Sequence, residues 1–432
     1  TCSLGTIVDG AAATVSLTVG VDASLVAGST VTNTATVAAS TADSVAGLRL
    51  WEKFGDGWPG GERWLSRETT RMARNGLPVD EGRLDSCLKD LEWVVDTSRG
   101  LIPWCDDPDT ADLSPIRWAE FCRERGPSPP ATQDKSDPDT QQWIKDNPGP
   151  GAVLEAIHTL RGANALLKKL ARMRSCVRGG RARYGMKYFG AHTGRDSGDA
   201  GFNVQNLARD EMYGVDVRSC IRAGAGKKLV VCDLSQIESR VLAMYAGESR
   251  ILDIARQGMD FYEAQARAWG LWKGQGPLKD DPRLRHQIKA TALGCGYGMG
   301  SARLSAMTGM SPAEASSIID MYRSNSPKVC KLWKTLGGWL KGSSGEDFEL
   351  DLPSGRTMTY RNVQRHRGKT SARVPRRGKM MRINMWGGFL TENVVQAVAR
   401  DIFMGHVRSL RDRGHDIVLR VHDEVVVETD AS

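Results

Sequence analysis

Two patterns of apolar and polar positions divide this chain. Within residues 1–47, Ala13-Thr-Val-Ser-Leu-Thr-Val19 and Thr30-Val-Thr-Asn-Thr-Ala-Thr-Val37 alternate small apolar and polar side chains. A period of two predicts half-buried β-strands. From Leu48 onward Trp, Arg, Glu and Lys enter and the period becomes helical. Leu77–Trp93 repeats apolar residues three and four apart behind Asp80, which predicts a helix with Asp80 as its cap. Leu154–Val177 reads as a basic helix carrying Arg161, Lys168, Lys169, Arg172 and Arg174. Its basic face is either simply solvated or lies along a phosphate backbone. Between them, residues 124–151 are rich in Pro, Asp, Ser and Gln and read as an exposed loop or linker. After Leu229, strand-like and helix-like runs alternate, which predicts an α/β or α+β arrangement.

Composition narrows the class. The 432 residues leave room for about two to three domains. Apolar residues at 40% and charged residues at 25% exclude a wholly disordered or collagen-like chain. No apolar run approaches the roughly 18 residues of a membrane span, so no membrane partner is expected. No basic segment leads into an apolar run at the start, so no signal peptide is read there. The net charge is +8. Residues 1–47 hold three acids (Asp9, Asp22 and Asp43) and no Lys or Arg, so the remainder carries +11. Such a surplus suits a polyanion, or is only a solvated basic surface. Nine scattered cysteines contain no CxxC pair, which fits neither a zinc site nor a disulfide framework and suits a reducing, cytoplasmic setting.

Three segments carry candidate chemistry. The first is Lys228-Leu-Val-Val-Cys-Asp-Leu234, an apolar run ending in Asp233, followed by Ser235-Gln-Ile-Glu238 and a helical pattern. An acid where a buried strand meets a helix can hold a metal. Ser-x-x-Glu is equally a capping box with no chemistry. The second is Arg285–Gly298, where Arg285, Lys289, Leu293 and Tyr297 recur every four residues. On a helix they form one stripe, stepping about 6 Å along the axis. That spacing suits a triphosphate, with Arg285 forking onto outer oxygens, Lys289 on inner ones and an apolar residue over a base. Two solvated cations on an amphipathic helix would look the same. The third is Asp416–Glu428, two β-branched runs flanking His422-Asp423-Glu424, which predicts a hairpin with acids at its tip. Adjacent carboxylates favour an exposed turn or a bound cation. No GxxxxGK[ST] occurs, which argues against a P-loop ATPase.

In this order the segments resemble the three polymerase motifs of family A DNA polymerases, the bacterial polymerase I and phage replicative type. They stand here as Asp233-Leu-Ser-Gln-Ile-Glu-Ser-Arg240, Arg285-x3-Lys289-x3-Leu293-Gly-x2-Tyr297-Gly298 and Val421-His-Asp-Glu424. Thr193-Gly-Arg195 with Asn203-Val-Gln-Asn206 resembles the family's primer-template segment. Glu392-Asn-Val-Val-Gln396 resembles its template-contacting helix. The resemblance spans about residues 48–432. It implies a DNA-directed nucleotidyltransferase of DNA replication using primer-template DNA and dNTPs, with a processivity factor as a further candidate partner. It also implies a right-hand α+β fold: a helical thumb region at 48–190, a palm with an antiparallel sheet at 191–245 and 376–432, and helical fingers at 246–375. As a set the blocks are closest to phage members, which implies a phage protein in the host cytoplasm.

Carried over, the resemblance assigns two Mg²⁺ ions to Asp233 and Asp423, with Glu424 as a supporting catalytic acid. Arg285, Lys289, Leu293, Tyr297, Glu238 and Gln236 would contact the nucleotide. Lys289 would also protonate the leaving group, and Glu238 would crowd a ribose 2′-hydroxyl. Thr193, Arg195, Asn203, Gln205, Asn206, Arg240, Gln396 and His422 would contact DNA. Two positions depart from the pattern. Leu293 stands where Phe or Tyr is usual, and Tyr262 stands where bacterial members often carry His. The rivals are a single-subunit RNA polymerase, which carries a smaller residue at the sugar gate, and an inactive DNA-binding remnant. Residues 1–47 resemble the end of an Ig-like β-repeat of bacterial surface proteins, either a fragment foreign to the rest or an accessory β-module. No proofreading exonuclease is expected. Family members continue past the last hairpin, so an open palm edge is expected.

Overall fold

The computed structural model describes residues 12–20, 30–38, 60–105, 113–199, 202–376 and 379–431. Strands β1 (Ala12–Gly20) and β2 (Thr30–Ala38) pair antiparallel, with Ala12 opposite Ala38, as the alternation predicts. The rest of the N-terminal segment, and with it the Ig-like reading, lies outside the described residues.

A helical layer comes next: α1 (Gly60–Asn75), the short β3 (Leu77–Pro78), α2 (Glu81–Gly100), α3 (Pro115–Glu124), α4 (Pro138–Asp146) and α5 (Pro148–Ser175). Asp80 caps α2 as expected, its carboxylate accepting the Arg83 N–H at 2.9 Å. Leu84 and Leu91 of α2 share one fully buried core with Leu154 and Leu160 of α5. Residues 124–151 are a correction, for they contain α4 and the first turn of α5. Asp137 accepts the Thr140 N–H at 2.9 Å, and Pro138 and Pro148 open the two helices. Pro and Asp read as loop residues, yet at a helix start they are the preferred ones.

Short strands lead to the site. β4 (Val177–Arg178) and β5 (Arg181–Ala182) join β3, and β6 (Met186–Lys187) pairs with β7 (Ser197–Gly198). β8 (Lys227–Asp233) is then followed only by helices until residue 348: α6 (Ile237–Ala246), α7 (Ser249–Ala255), α8 (Phe261–Ala268), α9 (Pro282–Cys295), α10 (Ser301–Thr308), α11 (Pro312–Asn325) and α12 (Pro327–Gly342). The expected alternation after Leu229 therefore fails here. Short apolar runs do not by themselves separate buried strands from buried helix turns.

A four-stranded antiparallel sheet follows, built from β9 (Phe348–Asp351), β10 (Thr357–His366), β11 (Lys369–Arg376) and β12 (Lys379–Met385) in spatial order 12-11-10-9. This is a correction, for the resemblance placed residues 246–375 in helical fingers, and β9, β10 and nearly all of β11 fall within that range. Its inner face (Met358, Tyr360, Val363, Ala372 and Val374) is buried against α12 and α13 (Gly387–Asp412).

The chain ends its described course in the expected hairpin, β13 (Asp416–Val421) and β14 (Glu424–Asp430). β14 lies between β13 and β8, with Glu424 opposite Asp233 and Asp430 opposite Lys227. β8 is an outer strand, and its Val231 is 58% exposed. Arg420, 1% exposed, ties β13 inward: its Nε donates to Asp196 at 2.7 Å and its Nη2 to Thr69. No described helix is long and apolar enough to cross a membrane.

Candidate active site

The β14–β8 pairing decides where the acids go. Asp233 ends β8, and Asp423 sits in the turn between β13 and β14, where His422 takes a left-handed backbone at φ 55°. The Leu234 N–H donates to the Asp423 carbonyl at 3.0 Å. Two residues far apart in the chain thus become neighbours at one end of a three-stranded sheet. Burial pushes the Asp423 carboxyl up from its usual range, and the charge of Asp233 pushes it further. Among the described residues no group of three or more His, Cys, Asp or Glu side chains is assembled for a metal. The donor set is two repelling carboxylates, one half-buried and one exposed. Hard oxygen donors with open positions fit a divalent cation that keeps water or phosphate oxygens as further ligands.

Beside the acids lies a polar knot. Arg195 Nη2 donates to Glu238 Oε1 at 2.5 Å, and the Tyr297 hydroxyl donates to Glu238 Oε2 at 3.4 Å. Burial raises the Tyr297 phenol well above its ordinary value, and the Glu238 charge adds to that. It stays protonated and therefore remains a donor. Gln396 donates to Glu392 at 3.3 Å, and burial, then the Glu238 charge, raises the Glu392 carboxyl. Glu392 belonged to a quoted block but was not among the expected site residues; only its neighbours in space give it a role.

The bland reading of Ser235–Glu238 is overturned. Gln236 flanks the start of α6 at φ 53° and makes no side-chain cap, while Glu238 turns toward Arg195. The Gln236 side chain is occupied elsewhere, donating to Asp260 at 2.6 Å and accepting the Phe261 N–H at 3.0 Å. Arg240 donates to the Ser235 carbonyl at 2.8 Å and lies over the Phe261 ring at 5.2 Å. Here both side chains join the start of α6 to α8.

The four-residue stripe is shorter than expected. α9 carries Arg285, Lys289 and Leu293 but ends at Cys295, so Tyr297 lies in the turn beyond it, its N–H bonded to the Gly294 carbonyl at 3.2 Å. Glycines loosen this end. The start of α13 also comes so close that a Cβ on Gly388 would sit 2.1 Å from the Tyr297 carbonyl. Lys289 is exposed and Leu293 half-buried. Arg285 pairs with Asp260 at 3.3 Å and lies 5.7 Å from the Tyr262 ring centroid. Burial opposes ionisation of Asp260, but Gln236, the Glu263 N–H and Arg285 together hold its carboxyl below the usual range. Asp260 thus positions Arg285, a role no motif announced.

The Thr193–Asn206 segment supplies Arg195 to that knot. Thr193 is 4% exposed. Asn203 accepts the Gln205 N–H at 3.0 Å and so shapes the turn that carries Gln205 and Asn206. Thr193 and Gln396 line one groove of about 660 Å³. His422 is exposed beside Asp423, and Glu424 is half-buried.

The sequence model of DNA polymerase family A matches residues 135–432. The chain is 29% identical over 246 residues to the DNA polymerase of Bacillus phage SP02, covering 49% of this chain and 37% of that protein. It is 30% identical over 237 residues to the thermostable DNA polymerase I of Thermus filiformis, covering 52% of this chain and 25% of that protein. The match thus spans only 25% to 37% of these relatives' length. The polymerase domain of Pol1 from M. smegmatis, solved with DNA primer-template and dNTP, superposes with a TM-score of 0.62 at 20% identity. That match covers 86% of this chain and 64% of the other, and it speaks for the fold.

Proposed function

The chain belongs to DNA polymerase family A, and from that premise we propose that it extends a primer 3′-hydroxyl with deoxynucleoside triphosphates on a DNA template. The observation that carries the reading is the meeting of Asp233 and Asp423 beside the Arg195–Glu238–Tyr297 knot. Two magnesium ions held by those carboxylates would supply positive charge to the primer hydroxyl and to the leaving pyrophosphate. Arg285 would exchange Asp260 for the outer phosphate oxygens, and its other N–H donors have no partner among the described residues. Lys289, exposed on the same helix face, would meet the inner phosphates and protonate the pyrophosphate as it leaves. Leu293 would cover the base by apolar contact. Tyr297 and Glu238 would wall the sugar, with the half-buried Glu238–Tyr297 contact crowding a 2′-hydroxyl.

Thr193, Arg195, Asn203, Gln205, Asn206 and Gln396 would steady the primer-template duplex, His422 would touch the primer terminus, and Glu424 would support the acids. Gln236 and Arg240 would act through position, because their polar atoms already serve α6 and α8. The hand division belongs to the same proposal: thumb at 48–190, palm at 191–245 and from 376, fingers between. β11 crosses position 375, so we set that border at the end of β12.

Primer extension with magnesium and all four dNTPs tests the reading. The chain is expected to extend, to prefer dNTPs over rNTPs, and to lose turnover in Asp423→Ala while still binding duplex. Extension by Asp423→Ala at the parent rate, or unprimed synthesis from rNTPs, would overturn it.

A further inference from the structure

The positive charge of this chain is concentrated in one place. Residues 352–386 hold ten Lys and Arg and no Asp or Glu. The whole chain carries +8, so everything outside that stretch sums to −2. The stretch is the β10–β12 part of the sheet that the motifs did not announce.

Its register is as informative as its charge. Arg361 of β10 faces Arg373 of β11, and Arg373 faces Arg382 of β12. Three arginines therefore stand in one row across three strands, about 4.8 Å apart from strand to strand. Like charges directly opposite destabilise a sheet. The row also depends on an irregularity. Unbroken pairing from Gln364 opposite Ser371 would set Asn362 opposite Arg373; the β-bulge sets Arg361 there instead. Bulges commonly re-aim a side chain.

The fold neutralises this row from one side only, where Asp347, Glu349 and Asp351 at and before β9 lie next to β10. Arg361 pairs with Asp347 at 2.9 Å. Among the described residues Arg382 donates only to neutral acceptors, the Asn362 carbonyl at 3.0 Å and side chain at 3.1 Å, with Ser371 farther off. The exposed Arg373 guanidinium has no hydrogen-bond or ion-pair partner among the described residues. By strand alternation the same face carries Lys369 and His366, which are opposite one another, and no Phe, Tyr or Trp. Single strands are usually held by stacking on aromatic rings, whereas a duplex is held by its phosphates. On the other face the β11–β12 pair carries Arg376 opposite Lys379, and Arg376 lines the groove shared by Thr193 and Gln396. The charged sheet is thus continuous with the candidate active site.

We propose that the Arg361–Arg373–Arg382 row is a second DNA contact, which binds the phosphate backbone of duplex DNA outside the catalytic groove. The choice of DNA as the polyanion rests on the DNA-synthesis reading above. The contact is independent of sequence, because guanidinium–phosphate pairing reads no base edge.

Binding of a blunt 30-base-pair duplex and of a 30-nucleotide single strand, followed by fluorescence anisotropy across a salt series, tests this. The parent chain is compared with the Arg373→Gln/Arg382→Gln double variant and with Arg373→Lys/Arg382→Lys. Each lost phosphate contact lowers the slope of log K against log salt by about 0.9, so the Gln pair is expected to lose nearly two and to bind duplex roughly tenfold or more weakly at 0.1 M salt. The Lys pair keeps most of the slope. Single-nucleotide incorporation at saturating primer-template stays unchanged, and the melting temperature of the Gln pair does not fall, since like charges have been removed. An unchanged duplex slope in the Gln pair overturns the inference while leaving DNA synthesis standing. A loss confined to the single strand also overturns it. A parent chain that neither binds nor extends primer-template overturns both readings.

Discussion

Replacing Asp233 by Asn is expected to stabilise the metal-free protein while abolishing its turnover. Asp423 is half-buried, and its carboxyl is raised first by burial and then by the charge of Asp233. Two unit charges about 5 Å apart at an effective dielectric of about 20 repel by about 3 kcal/mol, an upper bound for this pair. Asp233 is exposed, so water cuts this to about 1 kcal/mol. The sign follows from linkage. A carboxyl raised in the folded state contributes stability below its unfolded pKa and loses it as pH rises through the folded one. The ionised pair therefore strains the fold at neutral pH, and Asp233→Asn removes that strain. Scanning calorimetry without divalent ions should show the variant melting higher, by roughly 1–2 °C for a chain of this size. The gain should vanish as pH falls and Asp423 becomes neutral. Magnesium should act in reverse. At ten times its dissociation constant it adds about 1.4 kcal/mol to the parent chain and little to the variant. A lower melting temperature for metal-free Asp233→Asn, or equal stabilisation of both proteins by magnesium, would show that the two acids do not share a cation site.

Two other substitutions probe parts of the same framework. Leu293→Phe restores a ring over the nascent base, where stacking is worth about 1–3 kcal/mol, so KM for dNTPs in single-nucleotide incorporation should fall roughly tenfold, and unchanged kinetics and sugar selectivity would remove Leu293 from the nucleotide site. Arg400 is 2% exposed and forks onto Glu62 at 2.8 and 2.9 Å, while its Nε holds the Gly194 carbonyl at 3.1 Å beside Arg195. Glu62→Gln leaves that guanidinium with Asp401 as its one carboxylate partner among the described residues and should cost about 3 kcal/mol in urea unfolding. Burial opposes the ionised form of Glu62, but hydrogen bonds from Arg400 and Tyr188 hold its carboxyl below the usual range. The difference between parent and variant should therefore be full at neutral pH and shrink as pH falls through that lowered range.

Local chemistry was readable wherever one segment contained it. The strand ending at Asp233, the hairpin tip at His422-Asp423, the Asp80 cap and the helix bearing Arg285 and Lys289 each follow from period, turn residues and charge within a few positions. Where one residue type serves two ends, the pattern misleads. Asp137-Pro138 starts a helix in a stretch that composition assigns to a linker, and Ser235-x-x-Glu238 spells a cap that does not form. The choice between a capped helix and an Arg195 ion pair belongs to a partner 43 residues away, which no local window contains.

The amino-acid order alone settles which groups can do chemistry here: carboxylates at strand ends, cations four apart, glycines that permit close approach. Pairing across long loops settles which of them meet. β14 slots between β13 and β8 and sets Asp423 beside Asp233; Asp260 swings in to hold Arg285; a single bulge aligns Arg361 with Arg373 and Arg382. Each of these depends on register and burial summed over the whole chain, because backbone pairing and core packing must be satisfied together before any one side chain has a fixed neighbour.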